Sequence, residues 1–145
     1  MFEKILYPTD FSDAAGKALE YVKRLKASGA KEVIVLHVND ERGMESVNRI
    51  LGESEFKKLQ KRKIEEKERK LKRVAKELVE ADLKVKSRIE TGMPAREILR
   101  VEDEENVSII VIGSHGRSNL EEIFLGSISE KVIRKSKNPV FVIKR

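Results

Sequence analysis

The chain has 145 residues, near the usual single-domain size, and its 39% hydrophobic content supports a packed core beneath a surface rich in charge, also 39% of the residues. The absence of cysteine excludes disulfides and thiolate metal sites, and no apolar run is long enough to span a membrane as a helix. The net charge of +6 is concentrated in residues 57–77, where eleven basic and four acidic side chains leave a balance of +7 and the rest of the chain near −1. Within that stretch Glu65, Glu66 and Glu68 each precede a base by four residues, the favourable helical pairing. No aromatic residue interleaves the basic ones as a stacking platform requires, so a solvated helix face is expected and nucleic acid is not an expected partner. The opening MFEKILYPTD lacks a basic region followed by a signal-peptide core, which gives a cytoplasmic expectation. Dominance of Lys and Glu without cysteine or tryptophan is a bias of proteins from hot environments.

In chain order, FEKILY at residues 2–7 stops at Pro8 and reads as a first strand. Residues 13–27 carry Leu19, Val22 and Leu25 on one helical stripe and end at Ser28 and Gly29. KEVIVLHV, residues 31–38, is a second strand, and a long helical pattern follows over residues 53–81. That helix would run about 43 Å at 1.5 Å per residue. Phe56, Leu59, Leu71, Val74, Ala75 and Leu78 offer packing positions, but residues 65–70 offer none, so the part before Ile64 is expected to project or move. LKVKSRIE, residues 83–90, alternates as a half-buried strand. Residues 93–104 form a helix with Pro94 in its first turn, and VSIIVI, residues 107–112, is a fourth strand. A last helix over residues 128–135 and a strand over residues 138–143 complete the pattern.

Alternating strands and helices with mostly apolar strands imply a parallel sheet covered on both faces. Right-handed crossovers make this a doubly wound α/β fold of Rossmann-like type, one domain over residues 1–145, with the expected strand order 3-2-1-4-5. Ligands in such sheets sit at the carboxyl ends of the strands where the order reverses, here between strands 1 and 4. The first strand leaves through Pro8, Thr9 and Asp10, the fourth through Gly113, Ser114, His115 and Gly116.

Glycine lets backbone amides approach an anion, and Gly113 and Gly116 bracket such a loop. Ser127 and Glu130 have the Ser-x-x-Glu spacing of a capping box, whose helix start presents orphan N–H groups to a phosphate. The same features also describe a plain turn and a self-capped helix. Neither GxGxxG nor the Walker lysine motif is present.

The stretch ILYPTDFS, LHV at the end of the second strand, and Gly113-x2-Gly116-x9-Gly126-Ser127 together resemble the universal stress protein family, along essentially the whole chain. The glycine motif marks the ATP-binding branch of that family, so the resemblance implies ATP as ligand, with Mg2+ or Mn2+ accompanying it, in a stress-response protein with a five-stranded parallel sheet. It implies that Pro8, Thr9 and Asp10 line the adenosine side, with Asp10 near the ribose or a phosphate-bound metal. Val38 would flank the adenine. Gly113, Ser114, His115, Gly116, Arg117, Ser118 and Asn119 would wrap ribose and phosphates, while Gly126 opens the helix whose Ser127, Ile128 and Ser129 donate to the phosphates. Asp10 has a rival role as the cap of the first helix. His37 reads as a packed histidine. Arg117 reads equally as a phosphate ligand or a solvated side chain.

No paired carboxylates or lysine can be assigned to a γ-phosphate from the sequence, so a nucleotide-dependent switch is favoured over a catalyst. Slow ATP hydrolysis and a nucleotide-free dimeric interaction module are the alternatives. The last strand, Val140–Ile143, is an apolar sheet edge, and the resemblance implies a homodimer through it.

Overall fold

A computed structural model describes residues 1–114 and 126–144. Five parallel strands form one sheet in the order β3-β2-β1-β4-β5. They are β1 Lys4–Pro8, β2 Glu32–Asp40, β3 Lys84–Gly92, β4 Ile109–Gly113 and β5 Val140–Ile143. The helices are α1 Asp13–Arg24, α2 Met44–Leu51, α3 Glu53–Glu80, α4 Pro94–Glu105 and α5 Ser127–Lys135. The doubly wound α/β architecture and its strand order are those expected from the sequence.

The alternation of strand side chains divides the core into two layers. Ile5, Tyr7, Val33, Val35, Ile109 and Val111 meet Ala18, Leu19 and Val22 of α1 and Leu71 and Leu78 of α3. Leu6, Ile34, Leu36, Ile110 and Ile112 meet Ile98 and Val101 of α4 and Val132 of α5. Each fully buried aliphatic chain contributes about 1.5–3 kcal/mol, and the middles of β1, β2 and β4 are accordingly apolar on both faces. Among the described residues no helix is long and apolar enough to cross a membrane.

Strands lie one to two residues later than their apolar runs suggest, because main-chain pairing continues past the last apolar side chain. Pro8 still opposes Leu36, and Gly92 opposes Asp40. The first helix ends at Arg24 and tightens into a 3-10 turn over Leu25–Ser28, closed by Gly29 with φ of +99°. The helix α2 is not anticipated by the sequence reading. It has no buried residue and no capping side chain, only Gly43 with φ of +81° at its start. It packs on α3, and Asn39 donates to Gln60 at 3.3 Å, so the first half of α3 does not project alone as expected. Phe56, Leu59 and Ile64 are half-buried there. The charged middle of α3 is not purely solvated either: Lys67 and Lys70 lie over the Phe11 ring, each 5.5 Å from its centroid.

Candidate functional site

The strand order reverses between β1 and β4, and both exits open on the same edge of the sheet. Beyond Pro8 the chain stays tied to β2, with Thr9 N donating to Leu36 O at 2.8 Å. Thr9 is buried, and its carbonyl lies 2.8 Å from His37 Nδ1; since a carbonyl only accepts, the proton is on Nδ1. Thr9 Oγ1 accepts from Phe11 N at 3.0 Å, and Asp10 Oδ1 accepts from Ser12 N at 2.9 Å. These two side-chain bonds hold Phe11 at a φ of +63°, a strained value for an aromatic residue. The ring is held from outside as well, 5.1 Å from that of His37.

Asp10 is therefore not the cap of α1. Ser12 is, accepting from Ala15 N at 3.3 Å, because Asp10 sits two residues too early and closes an Asx turn instead. No described cation pairs with the Asp10 carboxylate. Tyr7 anchors the same turn, its hydroxyl donating to Ala15 O at 2.6 Å, and burial pushes its pKa up to about 12. His37 is buried, as a packed histidine should be. β2 runs past its last β1 partner, so Val38 lies beyond the end of β1 while still paired with Glu90 on β3.

At the β4 exit, Gly113 packs directly on the first turn of α1. A Cβ there would lie 2.9 Å from Ala14 C and 3.0 Å from Ala15 N. Its φ is not in the left-handed region, so it is a glycine for clearance, not for a turn. Ser114 is buried; its N donates to Ile143 O at 2.8 Å and its carbonyl accepts from Gly126 N at 2.7 Å. Ser114 is thus tied to β5 on one side and to the start of α5 on the other.

Two expectations at α5 are corrected. Gly126, not Ser127, is the N-cap; no side chain caps this end, and Glu130 pairs with Arg134 one turn on, so there is no capping box. The Ser129 hydroxyl is buried and donates to Gly113 O at 2.8 Å, with Ser114 O at 3.2 Å, so its single proton is directed inward and not toward a ligand. The first helical bond here is from Glu130 N to Gly126 O at 3.0 Å. The N–H groups of Ser127, Ile128 and Ser129 precede it and carry the positive end of the helix. His115, Gly116, Arg117, Ser118 and Asn119 lie outside the described residues.

The sequence reading overlooked Arg42, Met93 and Arg96 at this edge. Arg42 Nε donates to both oxygens of Asp40 at 2.9 Å, which holds the Asp40 carboxyl below its ordinary range. The only sequence signal for this corner was Gly92 and Pro94 directly after a strand. No group of three or more metal-ligating side chains exists among the described residues. Among the described residues the edge combines the start of α5, whose first N–H groups precede the helical bonding pattern, with the Asp10 carboxylate at the neighbouring exit of β1.

Comparison with known proteins agrees with this architecture. The profile of the universal stress protein family matches residues 1–144. Universal stress protein MJ0577 of Methanocaldococcus jannaschii is 45% identical, covering 100% of this chain and 96% of its own. Universal stress protein YxiE of Bacillus subtilis is 34% identical over 99% of this chain and all of its own. A solved structure of MJ0577 superimposes with a TM-score of 0.88 at 47% identity, over 100% of this chain and 97% of that one. More distant folds of the same kind include a universal stress protein from Archaeoglobus fulgidus in complex with dAMP, with a TM-score of 0.67 at 22% identity over 99% of this chain and 98% of that one. With the sheet order, both strand exits and the full-length match in agreement, this chain belongs to the universal stress protein family.

Proposed function

We propose that this protein binds an adenine nucleotide, ATP in its resident form, at the carboxyl edge between β1 and β4, and that occupancy acts as a switch in a stress response. One observation carries the reading. The first turn of α5, with three N–H groups outside the helical bonding pattern, is anchored by Ser129 onto the exit of β4, beside the exit of β1. Preorganised amides at a helix start are donors for phosphate. Gly126, Ser127, Ile128 and the backbone of Ser129 take the phosphates, and Gly113 and Ser114 carry the loop. Asp10, with Oδ1 engaged by Ser12, has its second oxygen for a ribose hydroxyl; Pro8, Thr9 and Val38 border the base. The universal stress protein that holds dAMP has the same fold, which fits an adenine ligand here.

Mg2+ or Mn2+ would enter with the phosphates: a single carboxylate at Asp10 suits an indirect contact and not a protein-built metal cage. Binding without turnover is favoured because, among the described residues, Asp10 is the carboxylate at the exit of β1 and it is already engaged in ordering the turn. The exposed Phe141 on edge strand β5 and Ile133 on α5 support a homodimer through Val140–Ile143. A cytoplasmic location goes with this reading.

Nucleotide extracted from freshly purified protein and identified by mass, followed by calorimetric titration with ATP, ADP and AMP, tests it. Binding of ATP is expected; no binding of any adenine nucleotide at millimolar concentration would overturn it.

A further inference from the structure

Among the described residues, Phe11, Asp82 and Asn106 hold a positive φ without being glycine. Asp82 and Asn106 follow the last turns of α3 and α4, and Asp and Asn tolerate that conformation. Phe11 is the bulky member of the three, and it lies at the exit of β1, between Asp10 and Ser12. Its backbone angles set Asp10 relative to Ser12, so the 2.9 Å bond from Ser12 N to Asp10 Oδ1 depends on them. The ring is gripped by side chains far away in the sequence. It packs against the core layer shared by α1 and α3, lies 5.1 Å from the His37 ring, and has Lys67 Nζ and Lys70 Nζ over it at 5.5 Å each. These lysines directly precede Leu71, the first buried residue of α3. The face that seats α3 in the core thus continues, one turn earlier, as two ammonium groups aimed at Phe11.

We propose that Phe11 is a positioning residue through which α3 sets the Asp10 carboxylate, the cation contacts of Lys67 and Lys70 being what holds its ring. A cation over an aromatic face is attracted by the ring quadrupole, and a strained backbone persists where its surroundings over-determine it. The charged middle of α3 thereby reaches the sheet edge without touching a ligand. With Oδ1 fixed by Ser12, Asp10 presents its other oxygen in one orientation, which makes α3 a determinant of preference for a nucleotide that carries ribose hydroxyls. This ribose role rests on the nucleotide reading above; the setting of Asp10 by α3 does not.

Lys67→Met combined with Lys70→Met removes both charges while keeping aliphatic stems and helix propensity. That double variant, Phe11→Leu and Phe11→Tyr are titrated calorimetrically with ATP and with 2′,3′-dideoxy-ATP. The ratio of the two affinities cancels any general loss of attraction for anions. The wild-type preference for ATP is expected to fall about threefold in the double lysine variant and about tenfold in Phe11→Leu, and to persist in Phe11→Tyr, which keeps the ring. Exchange of the Ser12 amide proton, followed by NMR without nucleotide, is expected to accelerate by similar factors in the same two variants. Unchanged Ser12 exchange in the double lysine variant overturns the proposal, even where Phe11→Leu changes it, because the ring would then act by packing alone. Faster exchange with an unchanged ATP preference overturns the ribose role. If the wild type binds neither nucleotide, the nucleotide reading fails, and Ser12 exchange still decides whether α3 sets Asp10.

Discussion

The Ser129 hydroxyl donates to the carbonyl oxygen of Gly113 at 2.8 Å, tying the first turn of α5 to the end of β4. The bond is part-buried and joins the two sides of the strand-to-helix connection. Ser129→Ala is expected to cost about 1–2 kcal/mol of stability and to lower ATP affinity several-fold, since the phosphate donors lose their anchor. Denaturant unfolding and calorimetric titration of the same variant check both effects; full ATP affinity would show that the first turn is held without this bond.

Gly113 and Gly16 make a matched pair. A Cβ on Gly113 meets the backbone of Ala14 and Ala15 at 2.9 to 3.0 Å, whereas one on Gly16 meets nothing within 4 Å. Gly113→Ala is expected to destabilise by about 1–3 kcal/mol through forced separation of α1 from β4. Gly16→Ala, within a helix, is expected to stabilise by about 0.5–1 kcal/mol. Thermal melts of the two variants should move in opposite directions.

Glu102 is buried, and its Oε1 accepts from Ser136 Oγ at 2.6 Å, Asn138 Nδ2 at 2.8 Å and Asn138 N at 3.1 Å. It clamps the turn that delivers β5 to the sheet edge. Glu102→Ala removes the acceptor shared by three donors and is expected to cost about 2–4 kcal/mol; Glu102→Gln, which retains an oxygen acceptor, should cost less. If β5 forms the dimer edge, sedimentation should also show a weaker dimer in the alanine variant.

Glu105 is buried between Lys86 at 2.7 Å and Arg88 at 3.0 Å, and the hydrogen bond from Lys86 foremost holds its carboxyl below the ordinary range despite burial. The folded state thus binds this proton less readily than the unfolded state. The resulting stability is fully present above the unfolded value near 4.5 and is lost as pH falls through the lower folded value. Glu105→Gln is expected to flatten the loss of stability below pH 4.5 relative to the wild type, as measured by urea midpoints across that range; an unchanged slope would remove Glu105 from the acid response.

Much of the architecture is legible from local pattern. IIVI at residues 109–112 and VIVL at residues 33–36 are apolar without interruption because β4 and β2 are covered on both faces, and LKVKSRIE alternates because β3 is an edge strand. The helix α2 was missed because its start has no capping side chain and its apolar residues bury little, so the signals that mark a helix are weak there. The capping box at Ser127 was misread for the opposite reason: the spacing is present, but Gly126 takes the cap position and Arg134 takes Glu130.

Sequence alone determined the fold class and where the strands end, because hydrophobic period and glycine placement are local consequences of burial and backbone freedom, whereas the strand order 3-2-1-4-5 was an expectation that the pairing of distant segments fixes. Only the tertiary structure decided what individual polar groups do there. Ser129 turns inward to Gly113, Asp10 orders the turn before Ser12, Gly113 yields space to Ala14, and Lys67 and Lys70 of α3 lie over the Phe11 ring. Each depends on a partner distant in the chain or on the exact angle at which two elements cross, and neither is written in the spacing of a single segment.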